Sequence, residues 1–145
     1  LRIGRTWDSV TRLGYGVGCL GLQIRRSSHP KLGIQDFAIR LTGARPAVPA
    51  ALCIGLSRTS WLGNNLPLNL APFGSPPGCF LLQSLDATVP WFTDGSGGAA
   101  IVFSVPRNPY LLTIPLFAQW VAADPTVPQK MPVGLSDGME VLFEN

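Results

Sequence analysis

The residues with the most obvious capacity for chemistry are three cysteines and one histidine: Cys19, Cys53, Cys79 and His29. A structural zinc site needs four ligands in tight pairs such as Cys-x-x-Cys, and no such pair occurs. A cysteine nucleophile needs a base beside it, and His29 stands in a turn next to Pro30. Cys53 reads as a small buried residue on a tight strand face. The eight carboxylates are scattered, mostly in turns or on outward strand faces, and nothing favours a glycosidase pair. Asp36, Glu140 and Glu144 face away from apolar neighbours and read as solvated. Thr93-Asp-Gly-Ser-Gly-Gly98 is the richest polar loop, but it has one carboxylate and lacks the spacing of an EF-hand. It reads as a hairpin turn that needs no ion. Neither a Lys nor a helix start follows Gly95, Gly97 and Gly98, so they do not form a phosphate loop. Ser57 and Ser136 sit in Gly-Leu-Ser, which is not the Gly-x-Ser-x-Gly nucleophile elbow. The expectation is a protein without catalytic, metal-binding or cofactor-binding residues, and not an enzyme.

Aromatic residues offer a different kind of chemistry. Trp7, Trp61, Trp91 and Trp120 are many for one domain. Trp120 lies in an apolar run and reads as core. Trp61 and Trp91 fall at a loop and a strand edge. If exposed, they would make a sugar-stacking platform or an interface anchor.

The elements that must position these residues are short strands. The chain has 145 residues, enough for one domain with a real core. Its 16 Gly and 14 Pro would interrupt helices at short intervals. The run from Leu111 to Asp124 has no other ionisable residue and is bounded by Pro109 and Pro125. It predicts a long buried strand, with Leu112, Ile114, Leu116, Ala118 and Trp120 on one face. Leu111, Thr113, Phe117, Gln119 and Val121 form the other face. Both are largely apolar, so both should be covered. Pro115 must then sit at a bulge or an unpaired position. Around this run the punctuation is regular. Strands are expected near Leu22–Ser27, Gln35–Thr42, Ala51–Ser57, Cys79–Leu85, Thr88–Phe92, Ala99–Val105 and Gly138–Phe143. In Ala51–Ser57 the residues Leu52, Ile54 and Leu56 should point inward, and the opposite face is all small. The fold class is all-β: a single-domain antiparallel β-sandwich, jelly-roll or Ig-like, of about eight strands over residues 15–145.

Residues 1–14 do not share this alternation and read as an extended N-terminal arm. Ile3, Trp7, Val10 and Leu13 are large apolar groups with little reason to sit on a solvated tail. They should be buried, either along their own sandwich or on a second copy. The chain begins without an initiator Met or a signal peptide, which is compatible with a removed export signal.

Charge and hydropathy narrow the partners. Only 13% of residues are charged, and mean hydropathy is +0.27. Such a chain either buries itself strongly or leaves apolar surface for a partner. No apolar run is long enough for a transmembrane helix, so no membrane span is expected. Residues 1–58 hold nine bases and two acids, a net of +7, whereas residues 59–145 hold two bases and six acids, a net of −4. Either the halves neutralise each other within one fold, or a basic end of one copy meets an acidic end of the next. Arg is spread singly and no basic run interleaves with aromatics, so nucleic acid is not an expected partner.

Several short pieces occur together in order. They are Tyr15-Gly-Val-Gly-Cys19, Leu41-Thr-Gly-Ala44, Gly55-Leu-Ser57, Leu66-Pro-Leu-Asn-Leu70, Gly78-Cys79 and Thr93-Asp94. They continue with Pro106-Arg-Asn-Pro109, Phe117-Ala-Gln-Trp120 and Gly134-Leu-Ser136. Together they resemble the β-rich domains, often C-terminal, of predicted exported proteins from planctomycetes and similar bacteria, an uncharacterised family. The likeness covers about residues 15–143. It departs from the pattern at Leu20, where the family usually has Pro, and at the extra thiol Cys53. The resemblance implies secretion and a β-sandwich, and it carries over no catalytic residue. Cys19 and Cys79 both belong to the resembling pattern and both follow a Gly in a turn-like context, so they are expected to be bonded to each other. A disulfide fits an oxidising, extracytoplasmic setting. The expected function is that of a secreted or cell-surface structural module. It would self-associate through the arm residues Ile3, Trp7, Val10 and Leu13 into a homo-oligomer or a homopolymer such as a fibre or surface layer. The alternative is a carbohydrate-binding or adhesion module using Trp61 and Trp91 on a polysaccharide.

Overall fold

The computed structural model describes residues 14–145, so the arm residues Ile3, Trp7, Val10 and Leu13 lie outside the described residues. Gly14, which the alternation assigns to the arm, opens the first strand. The strands in chain order are β1 (Gly14–Tyr15), β2 (Gln23–Arg26), β3 (Phe37–Thr42), β4 (Pro49–Gly55), β5 (Ser60–Trp61), β6 (Asn64–Asn65) and β7 (Leu68–Asn69). They continue with β8 (Phe80–Leu81), β9 (Ala87–Phe92), β10 (Ala99–Phe103), β11 (Leu116–Ala123), β12 (Val133–Leu135) and β13 (Gly138–Val141). Eight of them are three residues or longer, in line with the strand number expected from the punctuation. Among the described residues the helical elements are two short 3-10 helices, Ala71–Phe73 and Pro109–Thr113.

All named pairings are antiparallel. A large sheet runs β1-β13-β11-β4-β9, with β12 also on β11, and a small sheet runs β10-β3-β2. The sheets face each other across one core. Ile24, Phe37, Ile39, Leu41 and Ile101 contribute from the small sheet, and Ala50, Leu52, Ala118, Trp120 and Met139 from the large one. The alternation of Phe37, Ile39 and Leu41 predicts this placement, and all three are buried. Trp120 is fully buried, as expected for core.

β11 is covered on both faces, as its composition requires. The two covers differ in kind. Ala118 and Trp120 meet the small sheet, whereas Phe117, Gln119 and Val121 lie under the long connection between β4 and β9. That connection carries the two-stranded pairs β5-β6 and β7-β8. It approaches so closely that a Cβ placed on Gly55 would lie 2.0 Å from the Ser84 carbonyl oxygen. Only glycine fits at that position of the outer face of β4. Gln119 pins the layer down. Its Oε1 accepts from the Leu82 N–H at 3.1 Å, and its Nε2 donates to the Phe80 and Ser136 carbonyls at 2.9 and 2.8 Å.

Three local expectations need correction. The central strand starts at Leu116, not Leu111. Pro109 and Pro115 bracket a 3-10 helix whose first turn is held by the Asn108 side chain accepting from the Tyr110 N–H at 3.0 Å. Leu112 and Ile114 are consequently exposed rather than core. Leu56 does not point inward: β4 ends at Gly55, and Leu56 is 58% exposed. The polar loop from Thr93 to Gly98 is not a hairpin turn, because β9 belongs to the large sheet and β10 to the small one. It crosses between sheets beside the β3–β4 connection. There the Thr93 hydroxyl donates to the Arg45 carbonyl at 2.7 Å, and the Val48 N–H donates to Thr93 Oγ1 at 2.9 Å. These two crossing turns close one end of the sandwich.

Candidate functional site

The disulfide is present. Cys19 and Cys79 are bonded with their Cα atoms 5.2 Å apart, and they seed a second, smaller core with Leu135, Leu70, Val121 and Val133. The bond fastens the outer connection to the turn after β1. It closes a loop of 60 residues, worth about 4 kcal/mol on the chain-entropy model. Cys53 is free and buried on β4. Burial pushes its thiol up to about 11, so it is protonated at neutral pH and unsuited to nucleophilic attack.

The charged side chains of the two halves meet within one chain. Arg25 lies 3.6 Å from Asp137, Arg45 3.3 Å from Asp124, and Arg58 4.0 Å from Glu140. His29 Nδ1 lies 3.1 Å from Glu144. Part of the basic first half is thus paired with the acidic second half within one chain, and Glu140 and Glu144 have partners rather than standing simply solvated. Arg58 also lies over the Tyr15 ring, 4.0 Å from its centroid. Burial pushes Tyr15 up to about 12, against the attraction of the Arg58 guanidinium. The Tyr15 hydroxyl donates to the Leu82 carbonyl at 3.1 Å. Burial raises Asp124, but the Thr126 hydroxyl and amide together with Arg45 outweigh it and hold that carboxyl below its usual range. Asp94 is held low by the N–H groups of Gly98 and Ser96 and by the Ser96 hydroxyl. Each of these polar groups serves a turn, an ion pair or, for Tyr15, the fastening of the outer connection. Among the described residues there is no group of three or more His, Cys, Asp or Glu arranged to hold a metal.

The two candidate tryptophans lie on different pairs of strands. Trp91 pairs with Ala50 at the start of β4, whereas Trp61 lies in the short β5-β6 pair that follows the far end of β4. Trp61 is half-buried, and Trp91 is 43% exposed.

Trp91 belongs to a sheet edge that no other described strand covers. Among the described residues β9 is the last strand of the large sheet, and none of its residues is buried. Val89 and Trp91 share the face of their partners Leu52 and Ala50, while Thr88, Pro90 and Phe92 share the other face. The bond from the Thr93 N–H to the Val48 carbonyl fixes the alternation. The backbone groups of Thr88, Pro90 and Phe92 then point away from β4, towards an added strand. Pro90 lacks one of those donors, which blunts the edge without closing it. Phe92 is 67% exposed beside Trp91. Sequence reasoning placed Trp91 at a strand edge but missed Phe92; the signal was an aromatic pair following a proline in a strand-like run.

No family model matches the chain, and no curated protein or solved structure matches it either.

Proposed function

We propose that the protein is a non-enzymatic, extracytoplasmic structural module that self-associates by strand addition, with the N-terminal arm of one copy pairing on β9 of the next. One observation carries this reading. The arm joins the fold at β1, one edge of the large sheet, and the bare aromatic strand β9 is the opposite edge of that same sheet. A donor at one edge and an acceptor at the other give a heterologous contact. Such contacts propagate as an open filament unless the rotation closes them. Main-chain hydrogen bonds would supply affinity, and Trp91 and Phe92 would anchor the apolar arm residues Ile3, Trp7, Val10 and Leu13. Charge steering has a small part in this reading, since Asp124, Asp137, Glu140 and Glu144 already have partners within the chain. The disulfide supports an oxidising compartment. No helix among the described residues is long and apolar enough to cross a membrane.

Light scattering of the full chain, of a variant lacking residues 1–13, and of Trp91→Lys tests the reading. The full chain should form species that grow with concentration, and both variants should be monomeric. A monomeric full chain at high concentration, or undiminished assembly in either variant, would refute it.

A further inference from the structure

At the end of the sandwich away from the two crossing turns, the sheets part around a cavity of about 210 Å³. Phe37 and Phe103 line it from the small sheet, and Ile54, Leu116 and Val141 from the large one. Leu111, from the 3-10 helix between Asn108 and Ile114, lies over it. The hydrogen bonds of that helix are local: Leu111 N–H to the Asn108 carbonyl, Ile114 N–H to the Leu111 carbonyl, and the Thr113 hydroxyl to the Tyr110 carbonyl. The cover thus carries no hydrogen bond of its own to either sheet.

The wall says what can enter. Among the described residues that line it, the one hydroxyl side chain is Ser104, which is exposed. An enclosed water needs two to four polar partners, and the side chains deeper in this wall supply none. A charged group would lose its hydration with nothing to replace it. An apolar cavity of roughly 150 Å³ is enough to take up benzene, so this one has room for a single substituted ring. Phe37, Phe103 and Phe143 would meet such a ring edge-to-face, the geometry that aromatic pairs favour. We infer that this cavity is a binding site for a small neutral aromatic molecule of one ring, which enters beneath the 3-10 helix. This inference is independent of the association through β9, which lies at the edge of the large sheet rather than between the layers.

The test is a titration of the full chain with p-xylene, following the methyl resonances of Ile54, Leu111, Leu116 and Val141 by NMR. Saturable shifts confined to those methyls are expected, together with a thermal midpoint that rises with probe concentration. Ala118→Leu fills the wall from the large sheet and should weaken binding by about tenfold or more. Benzoate, the same ring with a charge, should also bind about tenfold or more weakly than p-xylene. The site is refuted by absence of saturable movement at these methyls up to the solubility of p-xylene. It is equally refuted by p-xylene affinity that is unchanged in folded Ala118→Leu, and equal affinity for benzoate would overturn the neutral assignment. If Ala118→Leu does not fold, Val141→Phe is the second filling variant, and the wild-type titration decides by itself.

Discussion

Replacing Gln119 by Leu separates two views of the central strand. A hydrophobic pattern alone treats Gln119→Leu as an improvement, since it extends an apolar face with a residue of similar size. The structure says otherwise. Gln119 is 1% exposed, and its amide serves the Leu82 N–H and the carbonyls of Phe80 and Ser136. Leucine would strand all three, and each orphaned buried backbone group costs about 1–3 kcal/mol, so the lower bound is roughly 3 kcal/mol. Burial of the leucine side chain returns about 1.5 kcal/mol, and relaxation of the outer connection trims the upper end. The net expectation is a loss of about 2–4 kcal/mol. Urea melts followed by far-UV circular dichroism would show it as a lower midpoint with an unchanged slope. Hydrogen exchange adds a local readout, because the Leu82 amide should lose protection before the amides of β3 do. A midpoint equal to or above that of the wild type would refute the claim that Gln119 fastens the outer layer.

Cys19→Ala with Cys79→Ala should cost about 4 kcal/mol by denaturant melts, less if the reduced chain keeps structure in its unfolded state. Non-reducing peptide mapping of the wild type should return a cross-linked Cys19–Cys79 peptide and a free Cys53. Asp124 is held below the usual carboxylate range, so its contribution is complete above the unfolded value near pH ~4 and is lost as pH falls through its folded value. Asp124→Asn should therefore lower stability at neutral pH and flatten the acid limb of a stability–pH curve. The flattening should be only partial, because Asp86 and Asp94 are shifted in the same direction.

The parts of the fold that could be read from the chain are those whose cause is local. Phe37, Ile39 and Leu41 alternate because one face of β3 is core, and no distant information is needed to see it. The Cys19–Cys79 bond was legible through paired Gly-Cys turns in a familiar order. What could not be read depended on partners distant in sequence. Leu56 continues the alternation of β4, but the approach of Ser84 to Gly55 ends the strand one residue earlier. Leu112 and Ile114 share the parity of Trp120, yet a side-chain cap at Asn108 and two prolines wind that stretch into a 3-10 helix. Thr93–Gly98 has the composition of a hairpin turn, and only the sheet membership of its flanking strands shows that it crosses between layers. Trp91 at a strand edge was legible, but that this strand ends the large sheet, and that an apolar cavity lies between the sheets, follow only from which strands pair and pack.

The outer cover of β11 sets the order in which the molecule comes apart. The connection is fastened by the Cys19–Cys79 crosslink, the Gln119 amide, the Tyr15 hydroxyl on the Leu82 carbonyl, the Met131 N–H on the Gly74 carbonyl and the Arg58–Glu140 pair, and of these only the crosslink responds to redox state. Reduction would loosen this cover at its Cys79 end, beside Leu70, Val121, Val133 and Leu135, while the inner core survives. Redox state would then be read out as stickiness. A chain held in a reducing compartment would be the aggregating form, and oxidation would be the step that renders the same surface inert.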